Sequence, residues 1–354
     1  MALFVRISTC VGGLWRSLAL LNAPKGIPFM TATYRLDSTP AAPDPQTAPP
    51  APAPRTRRRA AGRARRAEAR AGLAMAAPAV LLLLAFLIVP VLLGFALAFT
   101  NARLISPEPL RFVGLDNFVR AFTIDPAFFH SAINTFAFAA VVVPVQAGLG
   151  LFLALLVNQK IRGVTAYRII FFIPVVTSIV VVSILWKFMY QGNGLVNSFI
   201  NSITFGAWQG TAWLNNPSTA LGAIILLSIW QAVGFHMLIW LAGLQTIPEE
   251  LYEAARMDGA GTWQQFRNVT WPCLRPTRIF VLITITIAAL GLFVQIDVMT
   301  QGGPVDSTTT LVYHAVQAGY SEQQIGYGSA LSLVFFVIVL LIALVQRFLT
   351  RDKD

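Results

Sequence analysis

The chain has 354 residues, of which 56% are hydrophobic and only 12% charged, and its mean hydropathy is +0.66. A soluble domain carries about 25% charged residues, so an ordinary cytosolic enzyme is excluded and a membrane protein is indicated. The formal net charge of +11 would raise nucleic-acid binding in a soluble protein, but here the arginines gather in one patch and at the ends of apolar segments. That is the pattern of membrane topology, and no nucleic-acid partner is expected.

Residues 1–70 differ from the rest. The apolar patch at 11–21 is interrupted by Arg16 and is too short to span. The run 40–54 is rich in Pro and Ala and reads as an extended linker. Arg55, Arg57, Arg58, Arg59, Arg63, Arg65, Arg66 and Arg70 follow. Residues 1–70 are therefore expected to form a disordered Pro/Ala/Arg-rich cytoplasmic tail, drawn to anionic lipid, ahead of a membrane domain over 71–354. The two cysteines, Cys10 and Cys273, form neither a disulfide framework nor a metal site, and no metal is expected.

Six long apolar segments follow, near 75–99, 132–157, 169–189, 219–243, 279–299 and 327–346. Each approaches the ~20 residues that cross the hydrocarbon core as a helix. They are continuously apolar, whereas barrel strands alternate and are about half as long. The fold class is thus an all-α integral membrane protein with six transmembrane helices. Lys160, Arg162 and Arg168 flank the second connection, Arg256, Arg267, Arg275 and Arg278 lie in the fourth, and Arg347, Arg351 and Lys353 close the chain. The stretches 190–218 and 300–326 have no Lys or Arg. Positive-inside reasoning places both termini and the even-numbered connections in the cytoplasm. The first connection, with Arg103, Arg111 and Arg120, is the exception.

The fourth connection, 244–278, carries the most information. Pro248 followed by Glu249 and Glu250 suits a helix start. Leu251, Ala254, Ala255 and Asp258 share one face, which the alanines keep thin, so that another backbone can approach. Gly259 and Gly261 end that helix. Thr262 and Gln265 have capping-box spacing for a second short helix, and Pro272 and Pro276 close it. The segment reads as a docking element or as an amphipathic loop on lipid headgroups.

The residues Glu253-Ala254-Ala255, then Gly259, then Val269-Thr270-Trp271-Pro272 resemble the signature of ABC-importer permeases, with Trp271 in place of the usual Leu. Gln301-Gly302-Gly303-Pro304 and the run Phe112 to Phe118 resemble the carbohydrate branch of that family, of the maltose and glycerol-3-phosphate type. The resemblance covers roughly residue 75 to the C-terminus. It implies the type I importer fold and a place in the bacterial cytoplasmic membrane. The implied partners are a second homologous permease, an ATPase subunit dimer, an extracytoplasmic solute-binding protein and a sugar-like solute. The 244–278 loop would be the coupling element, with Glu253, Ala254, Ala255, Asp258, Gly259 and Pro272 meeting the ATPase. No Walker-type phosphate loop occurs in the chain. It is therefore expected to be no enzyme and to hold no cofactor, ATP and Mg belonging to the partner subunit.

A solute path needs polar side chains inside the membrane, where they are costly. Ser228, Gln231 and Phe235 fall at i, i+3 and i+7, and a hydroxyl, an amide and an aromatic ring suit a sugar. Gln295 lies late in the fifth span and joins them as a candidate, while Trp230 and His236 fall on neighbouring faces. Ser228 on its own also reads as a hydroxyl bonded to its helix, and Gln231 as interhelical glue. Two other solute or energy classes stay open: glycerol-3-phosphate or glycerophosphodiesters, and more distantly an ion-driven secondary carrier. The only basic residue within the spans is Lys187, near one end, which leans toward a neutral sugar.

Overall fold

The computed structural model describes residues 72, 74–105, 109–159 and 163–350. The expected tail over 1–70 and its arginine cluster lie outside the described residues. All regular structure among the described residues is helical, apart from one isolated bridge between Thr100 and Phe112. In lipid that outcome is dictated by backbone hydrogen bonding, because a helix satisfies its own N–H and C=O groups.

Among the described residues, five helices are long and apolar enough to cross a membrane: α1 (Ala74–Leu97), α3 (Pro126–Val157), α7 (Pro217–Gln245), the combined helix Arg275–Met299, and the stretch Ile325–Phe348 within α13 (Ile325–Thr350). A short helix α2 (Asp116–Thr123) precedes α3. Between α3 and α7 lie α4 (Val164–Val176), α5 (Ile179–Met189) and α6 (Leu195–Ile203). The span expected over 169–189 is bent: α4 and α5 meet at 94°. Pro174 inside α4 has no N–H to continue the ladder, Thr177 turns to extended backbone, and its hydroxyl donates back to the Ile173 carbonyl at 3.0 Å.

The span expected over 279–299 is likewise interrupted. It comprises α10 (Arg275–Leu290) and α11 (Val294–Met299), separated at residues 291–293. Thr310 Oγ1 donates to the Leu292 carbonyl at 2.8 Å, so this break does not leave that carbonyl unbonded. α12 (Leu311–Val316) then leads through a wide turn to α13.

The core is centred on the crossing of α3 and α7, where Phe138, Val142, Ile224, Leu227, Met237 and Trp240 are buried. α4 reaches α7 at Gly234, where a Cβ would stand 1.9 Å from the Phe171 carbonyl oxygen. Only hydrogen fits there, so the two backbones touch. α1 is peripheral: none of Val89–Leu97 is buried, and its Phe95 ring packs 5.3 Å from Phe336 of α13. Its exposed apolar side chains suit lipid or another membrane helix.

Candidate functional site

Between α7 and α10 the chain forms an elbow. Its stem is rigid because Gly243 of α7 sits directly against Thr277 of α10, whose Oγ1 would lie 2.3 Å from an added Cβ. Pro248 caps α8 (Glu249–Met257), with Glu249 and Glu250 in the first turn and Arg256 in the last. Both charge placements complement the helix dipole. α8 ends as expected: Gly259 has φ +76°, the left-handed conformation in which a Cβ is penalised, and its N–H donates to the Arg256 carbonyl at 3.0 Å.

The second helix, α9 (Thr262–Gln265), continues through a wide π turn (Phe266–Thr270) into Trp271–Cys273. Its start corrects the expected capping box by one residue. Gly261 is the N-cap, its N–H donates to Gln264 Oε1 at 2.8 Å, and Gln265 instead donates to the Ala260 carbonyl at 2.8 Å. Gly261 offers no side chain to cap, so only the returning half of the box forms. Tyr252 Oη and Thr270 Oγ1, 3.0 Å apart, tie α8 to this helix.

The elbow brings most of the expected coupling residues together. Leu251, Ala254, Ala255, Asp258 and Gly259 line one cleft of about 500 Å³. Glu253 is exposed beside it, and Met257 is 89% exposed. An apolar side chain so open, above a thin alanine face, presents an uncovered surface. Pro272 is also exposed but does not line this cleft, since it sits in the last short helical turn before α10.

The expected solute stripe is divided. Ser228 is buried, its hydroxyl donates to the Ile224 carbonyl at 2.8 Å, and its own carbonyl accepts from Gln146 Nε2 at 2.8 Å. Gln231 is half-buried and Phe235 is 45% exposed. Gln295, in α11, is half-buried as well. Neither glutamine makes a side-chain hydrogen bond with another described residue. His236 is buried behind Phe235, against Gly150 of α3. Trp230 packs on Trp186 of α5, with ring centroids 5.4 Å apart. Asp297 is exposed in the first turn of α11, where Phe293 is the N-cap residue.

At the end of the bundle away from the elbow, the two family-like loops serve as clamps. Asn117 of the Phe112–Phe118 run donates to the Ala98 and Thr100 carbonyls at 2.8 and 2.9 Å, covering the C-terminal end of α1. In the Gln301–Pro304 loop, Thr308 Oγ1 donates to the Gly303 carbonyl at 2.8 Å and Asn134 of α3 donates to the Asp306 carbonyl at 2.8 Å. Nearby, Asp125 caps α3 through the Ala127 N–H at 2.9 Å and accepts from Tyr327 Oη at 2.5 Å, with His314 Nε2 at 2.8 Å. Burial pushes the Asp125 carboxyl up, but the bonds to Tyr327 and His314 outweigh it and hold the group below its ordinary range.

Sequence reasoning did not find Gln146 or the Asp125 group. Gln146 carries a signal of its own, an amide in the middle of an apolar span. The Asp125 partners are remote in sequence, and no local pattern marks them.

Residues 146–354 match the family described as binding-protein-dependent transport system inner membrane component. The chain is 38% identical over 259 residues to the sulfoquinovosyl glycerol transport system permease protein SmoG of Agrobacterium fabrum, covering 73% of this chain and 82% of the relative. It is 36% identical over 258 residues to the trehalose/maltose transport system permease protein MalF of Thermococcus litoralis, covering 73% and 85%. Its fold matches the crystal structure of a bacterial alginate ABC transporter in complex with an alginate pentasaccharide-bound periplasmic protein. That match has a TM-score of 0.69 and 25% identity, and it covers 78% of this chain and 93% of that one. The type I importer fold expected from the sequence is the fold observed. The chain belongs to the binding-protein-dependent transport system inner membrane components, and it is a multi-pass permease subunit of an ABC transporter.

Proposed function

We propose that this chain forms one half of the membrane channel of an ATP-driven importer that carries a sugar or sugar-like solute into the cytoplasm. A second permease completes the channel, an extracytoplasmic binding protein delivers the solute, and a pair of ATPase subunits, which hold ATP and Mg, drives it. The observation that carries this reading is the elbow: an exposed, alanine-thin helix on a rigid stem, with Glu253 beside an open cleft.

Both termini and the elbow face the cytoplasm in this reading. Nucleotide binding draws the ATPase pair together, the two permeases' elbows follow, and the spans turn toward the outside to receive solute. Hydrolysis reverses the movement. Glu253 supplies charge-assisted hydrogen bonds to the motor subunit, and Gly259 lets the chain reverse tightly behind it. Gln231 and Gln295 offer amide groups and Phe235 a ring face to the solute, with Ser228 shaping the helix behind them.

The relatives' names speak of glycosides: sulfoquinovosyl glycerol, trehalose and maltose. Within this chain's spans the one lysine, Lys187, donates its Nζ to the Val298 carbonyl at 3.1 Å. Its place in the last turn of α5, away from the middle of the span, favours an uncharged sugar over a phosphate-bearing solute.

The test is reconstitution of the complex with its binding protein in vesicles, after thermal-shift screening of that protein against sugars and glycerol phosphates. ATP-dependent uptake of the stabilising sugar, lost in Glu253→Ala and weakened in Phe235→Ala without loss of assembly, is expected. Uptake that proceeds without nucleotide would overturn the reading.

A further inference from the structure

The elbow has a second face, chemically unlike the first. All its acids, Glu249, Glu250, Glu253 and Asp258, lie on α8 or at its end, whereas residues 259–296 contain three arginines and no acid. Trp263, Phe266, Arg267 and Trp271 line a cleft of about 350 Å³. Trp263 is 71% exposed and stacks on Phe266 at 5.6 Å, and Phe266 lies 6.2 Å from Trp271. The Arg278 guanidinium lies over the Trp271 ring, 4.4 Å from its centroid. Arg267 is exposed and pairs with no acid among the described residues.

Position gives this face its meaning. Trp271 stands four residues before α10 begins, and Arg278 is in the first turn of that helix, directly ahead of its apolar run. An arginine there turns its head back toward the polar boundary while its stem lies along apolar surface. Indole rings favour the headgroup level for the same reason. An arginine fork matches phosphate oxygens in geometry and charge. A zwitterionic lipid supplies no net charge to answer this one-signed segment, and an anionic phospholipid does.

We propose that the cleft between Trp263 and Trp271, with Arg267 and Arg278, is a binding site for an anionic phospholipid of the leaflet from which α10 enters. The guanidinium groups answer the phosphate charge, and the glycerol and upper acyl chain lie on the indole rings. The α8 face is then left for the motor subunit, so one elbow reads a protein on one side and the membrane surface on the other. The inference rests on the importer reading only for which leaflet this is, and its readouts do not depend on transport.

The experiment uses the purified complete transporter in mixed micelles of phosphatidylcholine and phosphatidylglycerol, with tightly retained lipid quantified after washing. Wild type should retain phosphatidylglycerol selectively. Arg267→Gln with Arg278→Gln should lower that retention roughly fivefold or more and leave phosphatidylcholine unchanged. Equal phosphatidylglycerol retention by wild type and variant would overturn the site.

A second measurement keeps both arginines. A nitroxide at Trp263→Cys, with Cys10→Ser and Cys273→Ser, is expected to be relaxed more by oxygen than by a water-soluble nickel chelate in phosphatidylglycerol-containing vesicles. Stronger relaxation by nickel would place the face in water. Protection from both reagents would place it inside a protein interface. Either result overturns the proposal.

Discussion

The side-chain amide of Gln146 in α3 donates to the backbone carbonyl of Ser228 in α7 at 2.8 Å, and both residues are buried. The bond crosses the centre of the bundle at the helix pair that forms its core. Neither helix needs it for its own ladder, so it specifies how the two lie against each other.

Replacing that amide by an apolar isostere tests this. Gln146→Leu is expected to lower stability by about 1–2 kcal/mol, read as a lower unfolding midpoint of the complex in detergent. Gln146→Glu should depend on pH: the protonated carboxyl can still donate to the Ser228 carbonyl, whereas the ionised one cannot, so its midpoint should fall as pH rises.

Gly234→Ala forces a methyl group onto the Phe171 carbonyl, 1.9 Å from its ideal Cβ position. Overpacking of this kind costs roughly 1–3 kcal/mol, and here the obstacle is backbone that cannot rotate away. Gly222→Ala, on the same helix with nothing within 4 Å, is expected to be neutral or slightly stabilising. Thermal unfolding of the two variants should separate them clearly.

The Asp125 carboxyl titrates below its ordinary 3.8 in the folded protein. A carboxyl depressed by folding adds stability that is fully present above the unfolded value and is lost as pH falls through the folded one. Wild type should therefore lose stability on acidification below about pH 4. Asp125→Asn should start from a lower midpoint and show less of that acid-induced loss. An unfolding series in pH steps, run on both proteins, reads the difference.

At Gly259, φ +76° costs an L-residue roughly 1–2 kcal/mol, and β-branching adds to it. Asn adopts this conformation more readily than other residues do. Gly259→Asn should keep most ATP-driven uptake, whereas Gly259→Val should lose on the order of tenfold with the complex still assembled. Equal uptake by the two variants would remove backbone conformation as the reason for the glycine.

The spans and the elbow were legible because their signals are local. A run of apolar residues near ~20 long has one cheap solution in lipid. Pro248, the first-turn acids and Gly259 punctuate a helix whatever surrounds it. The capping box was misplaced by one residue for an equally local reason: two adjacent glutamines, Gln264 and Gln265, both reach back, and only the backbone decides which meets the Gly261 N–H.

The bend between α4 and α5 was less legible. Pro174 marks it, but proline is tolerated inside membrane helices, as Pro144 is within α3, and sequence does not say which proline bends the chain by 94°. Nor does the i, i+3, i+7 stripe say that Ser228 is buried against its own helix while Phe235 stays open. The exposed side of α7 rotates along its length as it crosses its neighbours.

By itself the sequence determined that this chain is a helical membrane protein whose fourth connection is a helix–turn–helix elbow with a permease-like motif, since apolar length, local punctuation and a short motif suffice for that. Only the tertiary structure decided that Gln146 meets Ser228, that Asp125 meets His314 and Tyr327, and that the elbow has an alanine-thin face and an aromatic–arginine face. Those pairings join residues as far as 202 positions apart. Long-range contacts depend on how whole helices settle against one another, and lipid, being as apolar as the spans, leaves close packing and scarce polar bonds to choose among the arrangements.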